Sequence, residues 1–163
     1  MFGKSLVSVF VIFIVFIAAC ATESGLYKRV VTVAIWDLED LSPSDVVRPD
    51  IGELLSTKVI ETFKETNIYT VVARERLLLV LEELNLGTTS LVDETTRLRI
   101  GKLVGAQLMV FGGYQVIEEQ MRLDLRLVEV ETGRIRKAAQ KTVSSTDLPG
   151  WMDAAKETAA QLF

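Results

Sequence analysis

The sequence of 163 residues contains no histidine and one cysteine. Without histidine, the chain has no imidazole for a Ser-His-Asp or Cys-His catalytic site, for general-base catalysis or for metal binding. The one cysteine, Cys20, ends an N-terminal apolar segment, so the rest of the chain offers no thiol for a disulfide, a nucleophile or a zinc site. These absences exclude enzyme mechanisms that depend on histidine or on a thiol downstream of Cys20.

A dominant positive charge is also missing. Lysine and arginine number 18 against 22 acidic residues, which gives a net charge of −4, and the sequence has no long run of consecutive basic residues. Nucleic acids and anionic lipids attract proteins with concentrated positive charge. The composition therefore argues against a nucleic-acid partner and against polybasic docking on a membrane.

The N-terminus has the features of a secretory signal. Lys4 precedes a run of fourteen residues, Leu6–Ala19, that is apolar apart from Ser8, and small residues lie before Cys20. A positive start, a short apolar region and small residues before a cut are typical of a signal peptide. A cysteine directly after the cut resembles a bacterial lipobox, in which the cysteine is acylated. The alternative is an uncleaved membrane helix, but such a helix needs roughly 20 apolar residues.

The sequence thus predicts three parts: a signal peptide over 1–19, a lipidated Cys20 with a short tether over 20–28, and one domain over 29–163. Removal of the signal leaves 144 residues with a charge of −5, enough for a single core. Stable anchoring takes more than one acyl chain, and a fully processed lipoprotein cysteine carries several, palmitate among them. Ala21 after the cysteine, in place of aspartate, is compatible with sorting to the outer membrane.

Hydrophobic periodicity predicts a single α/β domain with a mixed sheet in three layers and the order β-α-β-α-α-β-β-β-α. Val30–Trp36 is almost continuously apolar, as in a strand buried on both faces. Met121–Leu127 alternates apolar with charged residues, as in a half-buried antiparallel strand. The other predicted strands are Ile68–Val72, Ala106–Ile117 and Arg134–Ser144; the predicted helices start near Asp50, Leu77, Asp93 and Asp147.

Polar and glycine residues predict where helices and strands end. We expect Asp50 and Asp93 to cap helix N-termini, and Gly87 to end the second helix as its C′ residue. Gly133 is expected in the left-handed conformation of a hairpin turn. The apolar alternation slips at Val128, which predicts a bulge or a second covered face. The pair Gly112-Gly113 predicts a bulge or a close approach of another chain segment.

Several segments in a fixed order carry a resemblance to a known family. The domain is similar to the curli production assembly and transport lipoproteins of the CsgG/HfaB-like family over about Val30–Val143. Domains of the LpoB type and the N-terminal domain of TolB are related to them. The segments that carry the resemblance are Val71–Leu77, Leu81–Glu83, Leu91–Asp93, Ile100–Ala106, Leu108–Gly112 and Leu127–Gly133.

The chain departs from this family at two places. Family members usually carry an acid before the arginine that starts the second helix, whereas this chain has Ala73 before Arg74. Curli secretion channels also carry two long insertions that form transmembrane hairpins. Here only a tight turn at Glu118–Gln120 and a direct passage from Val143 into the last helix occupy those places, so we expect the family core without the transmembrane hairpins.

Acidic residues gather after the first strand, where α/β sheets usually bind ligands. Asp37, Glu39, Asp40 and Asp45 could offer oxygen ligands to a hard cation, but they lack EF-hand spacing. A solvated loop is the simpler interpretation. We predict no catalytic, cofactor-binding or metal-binding residues.

A protein-binding surface is the remaining kind of site. The charged face of Arg122, Asp124 and Arg126 is interpreted equally well as a subunit contact or as an exposed sheet face. Trp151 is a candidate for a partner surface, although core packing explains a tryptophan better. The site residues predicted from sequence are therefore Cys20 for lipidation and these four for a partner.

The family resemblance implies a non-enzymatic lipoprotein on the periplasmic face of the outer membrane, which assists the assembly or secretion of a cell-surface structure such as curli through protein–protein contacts. The partners would be other proteins or further copies of the chain in a ring. One alternative is a regulator of cell-wall synthesis that activates a penicillin-binding protein, although a tether of about eight residues is short for that task. A flagellar accessory lipoprotein is another.

Overall fold

The computed structural model describes residues 30–43, 49–86, 92–144 and 147–163. It confirms the α/β class and the predicted order, with one addition. The strands are β1 (Val31–Ile35), β2 (Glu39–Asp40), β3 (Tyr69–Val71), β4 (Leu108–Ile117), β5 (Gln120–Glu129) and β6 (Ile135–Val143). The helices are α1 (Pro49–Glu65), α2 (Arg74–Glu83), α3 (Glu94–Leu103) and α4 (Leu148–Ala160). The two-residue β2 lies in a segment that the sequence predicted as loop, and it escapes sequence analysis because so short a strand has no periodicity.

The strands form one mixed sheet in the order β3-β1-β4-β5-β6, with β2 paired to β4. β1 lies parallel to β3 and β4, whereas β4, β5 and β6 are antiparallel. A two-residue turn, Glu118-Glu119, joins β4 to β5, and Glu118 adopts a φ of 52° there. The tight turn expected at this place is thus confirmed.

Helices cover both faces of the sheet, which gives the predicted three layers. The first core lies between the sheet and the helices α1 and α4, and it includes Val33, Ile35 and Phe63. The second core lies between the sheet and the helices α2 and α3, and it includes Ala34 and Trp36. Successive residues of the β1 segment therefore enter opposite cores, because side chains alternate along a strand. Each large apolar side chain that is fully buried in this way contributes about 1.5–3 kcal/mol.

The slip predicted at Val128 is confirmed, because the structure has both a bulge and a second covered face there. The apolar residues of β5 as far as Leu127 enter the first core. The register between β5 and β6 shifts between Leu127 and Val128, and Val128 enters the second core. The bulge therefore lets one strand supply apolar side chains to both cores.

Two of the predicted element ends are confirmed and two need correction. The Asp93 side chain caps α3 by accepting a hydrogen bond of 2.9 Å from the amide of Thr96, and Gly133 has a φ of 69°. Asp50 does not cap α1, because that helix already begins at Pro49 and Asp50 lies in its first turn. The helix α2 ends at Glu83 with Leu84 as its C-cap, earlier than predicted.

The left-handed residue after α2 is Asn85, with a φ of 52°. Asparagine tolerates this conformation better than most residues, so it replaces the glycine that the sequence suggested. Gly87 itself lies outside the described residues. Within the parts of the chain that the structure describes, no helix is both long enough and apolar enough to cross a bilayer.

Candidate functional site

An ion pair closes the carboxyl end of β1. Nε and Nη2 of Arg74 donate hydrogen bonds of 3.0 and 2.9 Å to the two carboxylate oxygens of Asp37, and Nη1 lies 3.3 Å from Oε1 of Glu53. The hydrogen bond with Asp37 raises the pKa of Arg74 above its ordinary value.

A buried serine holds the same loop against α1. The amide of Leu38 donates a hydrogen bond of 2.9 Å to Oγ of Ser56, and that hydroxyl donates one of 2.6 Å to the carbonyl of Gly52. A Cβ at Gly52 would lie 2.6 Å from the carbonyl oxygen of Leu38, so only glycine allows this approach. Sequence analysis missed Ser56; the small residues at positions 52 and 56, four apart on one helix face, were the available signal.

The other acidic residues of this loop are occupied as well. Glu39 forms an ion pair with Arg97 of α3, and Oδ1 of Asp40 accepts a hydrogen bond of 2.9 Å from the amide of Ser42. Asp45 lies outside the described residues. Over those residues the structure holds no group of three or more acidic, histidine or cysteine side chains that could bind a metal ion. The contacts show that the described acidic side chains of this loop are paired or hydrogen-bonded within the fold.

Among the residues that the structure describes, no helix lies over half of one sheet face. The helices α2 and α3 cover β1, β4 and the end of β5, and leave most of β5 and β6 uncovered on their side. We call this surface the open face. The side chains that it presents, from β5 and from the residues of β6 paired with them, are Arg122, Asp124, Arg126, Ala138, Gln140 and Thr142.

The charged residues of the open face are paired with one another or with α3. Arg122 donates hydrogen bonds of 2.8 and 2.9 Å to the two carboxylate oxygens of Asp124 and one of 2.9 Å to Oε1 of Gln140. The hydrogen bond to Asp124 raises the pKa of Arg122. Arg126 lies 3.6 Å from Glu94 at the start of α3. The structure therefore places all three predicted residues on an exposed sheet face, with their charges compensated.

A groove of about 410 Å³ runs between the open face and α3. Gly112 and Gly113 form part of its floor. Larger residues would not fit at these positions, because a Cβ at Gly113 would collide with Leu41 and one at Gly112 with the backbone of Asp124. Arg97 forms its side wall, with its guanidinium 5.6 Å from the ring centroid of Trp36. The volume lies in the range of small-molecule and peptide pockets.

The prediction that Trp151 belongs to a partner surface needs correction. Its side chain is only 2% exposed and packs in the first core, so it cannot touch a partner. Position on α4 decides this, because Trp151 lies in the first turn, on the face that the helix turns toward the sheet. Cys20, the other predicted site residue, lies outside the described residues and remains a prediction.

The open face suits contact with another protein better than it suits catalysis. Its polar groups are two arginines, one carboxylate, an amide and the hydroxyl of Thr142, and the carboxylate already accepts two hydrogen bonds. Arginine is enriched at protein interfaces, and a flat surface with alternating charges selects a partner by electrostatic complementarity. The contributions of Glu94, Arg97 and Gln140 were missed from sequence because they come from α3 and β6, and only the fold brings these elements beside β5.

Comparison with solved structures shows the same fold in three bacterial proteins. The LpoB C-terminal domain from Escherichia coli has a TM-score of 0.59 at 13% identity, with 78% of this chain and 92% of that chain covered. Lipoprotein GNA1162 from Neisseria meningitidis has a TM-score of 0.60 at 11% identity, covering 76% and 91%. A PelC dodecamer from Paraburkholderia phytofirmans has a TM-score of 0.57 at 12% identity, covering 81% and 87%.

The sequence itself matches at the level of a family. No curated protein matches it. A family model does, over residues 27–116, which is more than half of the 163 residues. That family is described as the curli production assembly/transport component CsgG, and the matched region runs from before β1 to Val116, the residue before the last one of β4. The chain belongs to the CsgG family.

Proposed function

We propose that the protein is a non-enzymatic lipoprotein, anchored through Cys20 on the periplasmic face of the outer membrane, that assists the assembly or secretion of a cell-surface structure through protein–protein contacts. The signal peptide over 1–19 directs export, and the acyl chains on Cys20 hold the domain at the membrane. Curli-type export is the specific process that we propose.

The match to the CsgG family over 27–116 carries this proposal. The geometry supports it, because the open face presents paired charges and a groove on an otherwise complete domain. The dodecamer named for PelC supports an assembly of several copies, which we propose here as the working form.

Lipid anchoring is tested with the full chain expressed in a Gram-negative host. Mass spectrometry of the purified protein is expected to find a cleaved N-terminus with acyl chains on Cys20, and membrane fractionation is expected to place it with the outer membrane. The variant Cys20→Ala should lose the acyl chains and leave the membrane fraction. An uncleaved, unmodified chain would refute the anchor.

The role of the open face is tested with a charge reversal. Asp124→Lys removes the partner of Arg122 and changes the charge of the open face by two units. In a strain that lacks the chromosomal copy, we expect this variant to restore formation of the surface structure poorly, although it reaches the membrane. Glu82→Lys is the matched control, because Glu82 is exposed on α2 away from the open face. Equal restoration by both variants would contradict the role that we give to the open face.

The similarity to the LpoB C-terminal domain favours a second candidate, a regulator of cell-wall synthesis, since 92% of that domain is covered. The same strain distinguishes the two functions. Loss of curli-type fibres with normal wall synthesis supports the first, whereas altered incorporation of labelled wall precursor with normal fibres supports the second.

A further inference from the structure

Within the described part of the chain, β6 forms one edge of the sheet, and part of its backbone has no neighbouring strand. At the end of β5, the amide of Glu129 donates to the carbonyl of Arg134 on the β6 side, and the amide of Val130, the next residue, donates to the carbonyl of Gln107 on the β4 side. Hydrogen bonding alternates along a strand, so odd-numbered residues of β5 bond to β6. Their partners in β6 include Lys137, Ala139 and Lys141. The residues between these partners, positions 138, 140 and 142, therefore direct their N–H and C=O groups outward.

This edge is the most basic segment of an acidic chain. From Arg134 to Ser144 the sequence contains four cationic residues and no acidic one, whereas the whole chain has a net charge of −4. Lys137 and Lys141 are paired with Leu127 and Leu123, so their side chains lie on the α4 side of the sheet. The residues whose backbone groups point outward are Ala138, Gln140 and Thr142, and their neutral side chains lie on the open face.

Internal carboxylates compensate only part of this charge. Arg134 and Arg136 both pair with Glu129, and Lys141 pairs with Glu157 of α4. Within the described residues, no carboxylate lies within ion-pair distance of Lys137, which is exposed at the middle of the strand. Two arginines share one glutamate and Lys137 has no carboxylate partner, which leaves this half of the edge positive.

The charge selects among the strands that could pair with this edge. Cations on an edge strand discourage pairing between copies, because two β6 strands would bring like charges together. The same cations attract a strand of opposite charge. A peptide that adds to an edge gains backbone hydrogen bonds, and its alternate side chains determine its specificity.

We propose that β6 accepts an extended acidic segment of a partner protein as an additional strand of the sheet, with acidic side chains at alternate positions beside Lys137 and Lys141. Neutral side chains at the intervening positions would face Ala138 and Gln140. This proposal deepens the proposed function, since it names the chemistry of the protein contact and rests on the existence of such a partner.

The experiment is a selection from a displayed library of random ten-residue peptides on the full-length protein in detergent micelles. We expect the enriched peptides to carry Asp or Glu at alternate positions. A synthetic copy of an enriched peptide is then N-methylated at alternate backbone amides, in two versions that are offset by one residue. One version should bind about tenfold more weakly than the unmodified peptide and the other should bind equally well, because only one set of amides faces β6. This control requires no change to the protein.

Protein variants locate the site. Lys137→Glu is expected to weaken binding of the selected peptide about tenfold, and Ala138→Pro should remove it because position 138 directs its amide outward. Arg99→Glu, an exposed site on α3, is the matched control with the same charge change. Circular dichroism verifies that each variant is folded.

Three results would overturn the inference: enriched peptides without acidic residues, no enriched peptide at all, or cross-links that place the peptide on the β5 residues of the open face or join β6 strands of two copies. Acylation of Cys20 is measured separately. An unmodified Cys20 together with selective acidic-peptide binding would refute the anchoring and leave the inference on β6 standing.

Discussion

Arg74, the first residue of α2, contacts both carboxylate oxygens of Asp37, the second residue after β1, at 3.0 and 2.9 Å. Both side chains are largely shielded from water, at 28% and 20% exposure. Because β1 and β3 are adjacent parallel strands, the pair ties together the two loops that leave them. Two parallel hydrogen bonds between ions have a fixed geometry and are stronger than neutral ones.

Removal of this pair should therefore destabilise the domain. We expect Arg74→Ala to lower the free energy of unfolding by about 1–3 kcal/mol, measured by urea denaturation. Arg76→Ala, at an exposed position two residues away, should change it by less than about 0.5 kcal/mol. Equal losses in the two variants would show that the pair with Asp37 contributes nothing beyond general helix charge.

The start of α2 lacks a side-chain cap. Ala73 occupies the N-cap position with extended backbone angles, φ −63° and ψ 135°, and makes no capping hydrogen bond. Ala73→Asp should supply that bond and raise the free energy of unfolding by about 1 kcal/mol. The matched change Asp93→Ala removes the cap of α3 and should lower it by a similar amount. If Asp93→Ala lowers the free energy of unfolding but Ala73→Asp does not raise it, Arg74 already stabilises the start of α2.

Close packing around Gly112 of β4 and Gly101 of α3 predicts that alanine at these two positions lowers the stability of the domain to different extents. A Cβ at Gly112 would collide with the carbonyl oxygen of Asp124 on β5, which is backbone and cannot move aside. We expect Gly112→Ala to lower the free energy of unfolding by about 2–4 kcal/mol. Gly101→Ala meets the flexible end of Met109 and gains helix propensity, so it should cost less than about 1.5 kcal/mol. Thermal unfolding followed by circular dichroism compares the two; the reverse order would contradict this reasoning.

The turn between β5 and β6 makes stability depend on pH. A hydrogen bond of 2.6 Å from Thr132, with the contact to Arg136, holds the pKa of Glu129 below its ordinary value of 4.5. A lowered pKa in the folded state means that the ionised form stabilises the fold. That stabilisation is present above about pH 4.5 and is lost as the pH falls through the lower folded value.

We therefore expect wild-type protein to be more stable than Glu129→Gln at pH 7 and equal to it in strong acid. Urea denaturation across this pH range measures the difference. Glu119→Gln, in the exposed turn between β4 and β5, is the control and should show no such convergence. A difference that persists unchanged into strong acid would contradict an electrostatic origin.

Local sequence signals predicted most of the fold. The β1 segment was recognisable because residues such as Val33 and Trp36 enter opposite cores, so the strand is apolar on both sides. Asp93 and Gly133 were predictable because an N-cap and a left-handed turn each depend on a few consecutive residues. The slip at Val128 was visible because a change of core changes the period of the apolar residues.

Features that join distant parts of the chain were not predictable in this way. The pairing of Glu39 with Arg97, the burial of Trp151 and the bond between Leu38 and Ser56 depend on how helices pack against the sheet. The acidic residues after β1 were predicted as a solvated loop, whereas the fold brings one arginine to Asp37 and another to Glu39.

The amino-acid sequence alone determined the class of the protein: an α/β domain, with Cys20 near the N-terminus that predicts lipidation, no histidine, and no thiol after Cys20. These properties depend on composition, periodicity and neighbouring residues. Only the tertiary structure decided which face of the sheet stays open and which strand forms its basic edge. A strand becomes an edge because no other strand pairs with it, and that depends on the order in which the whole chain assembles its sheet.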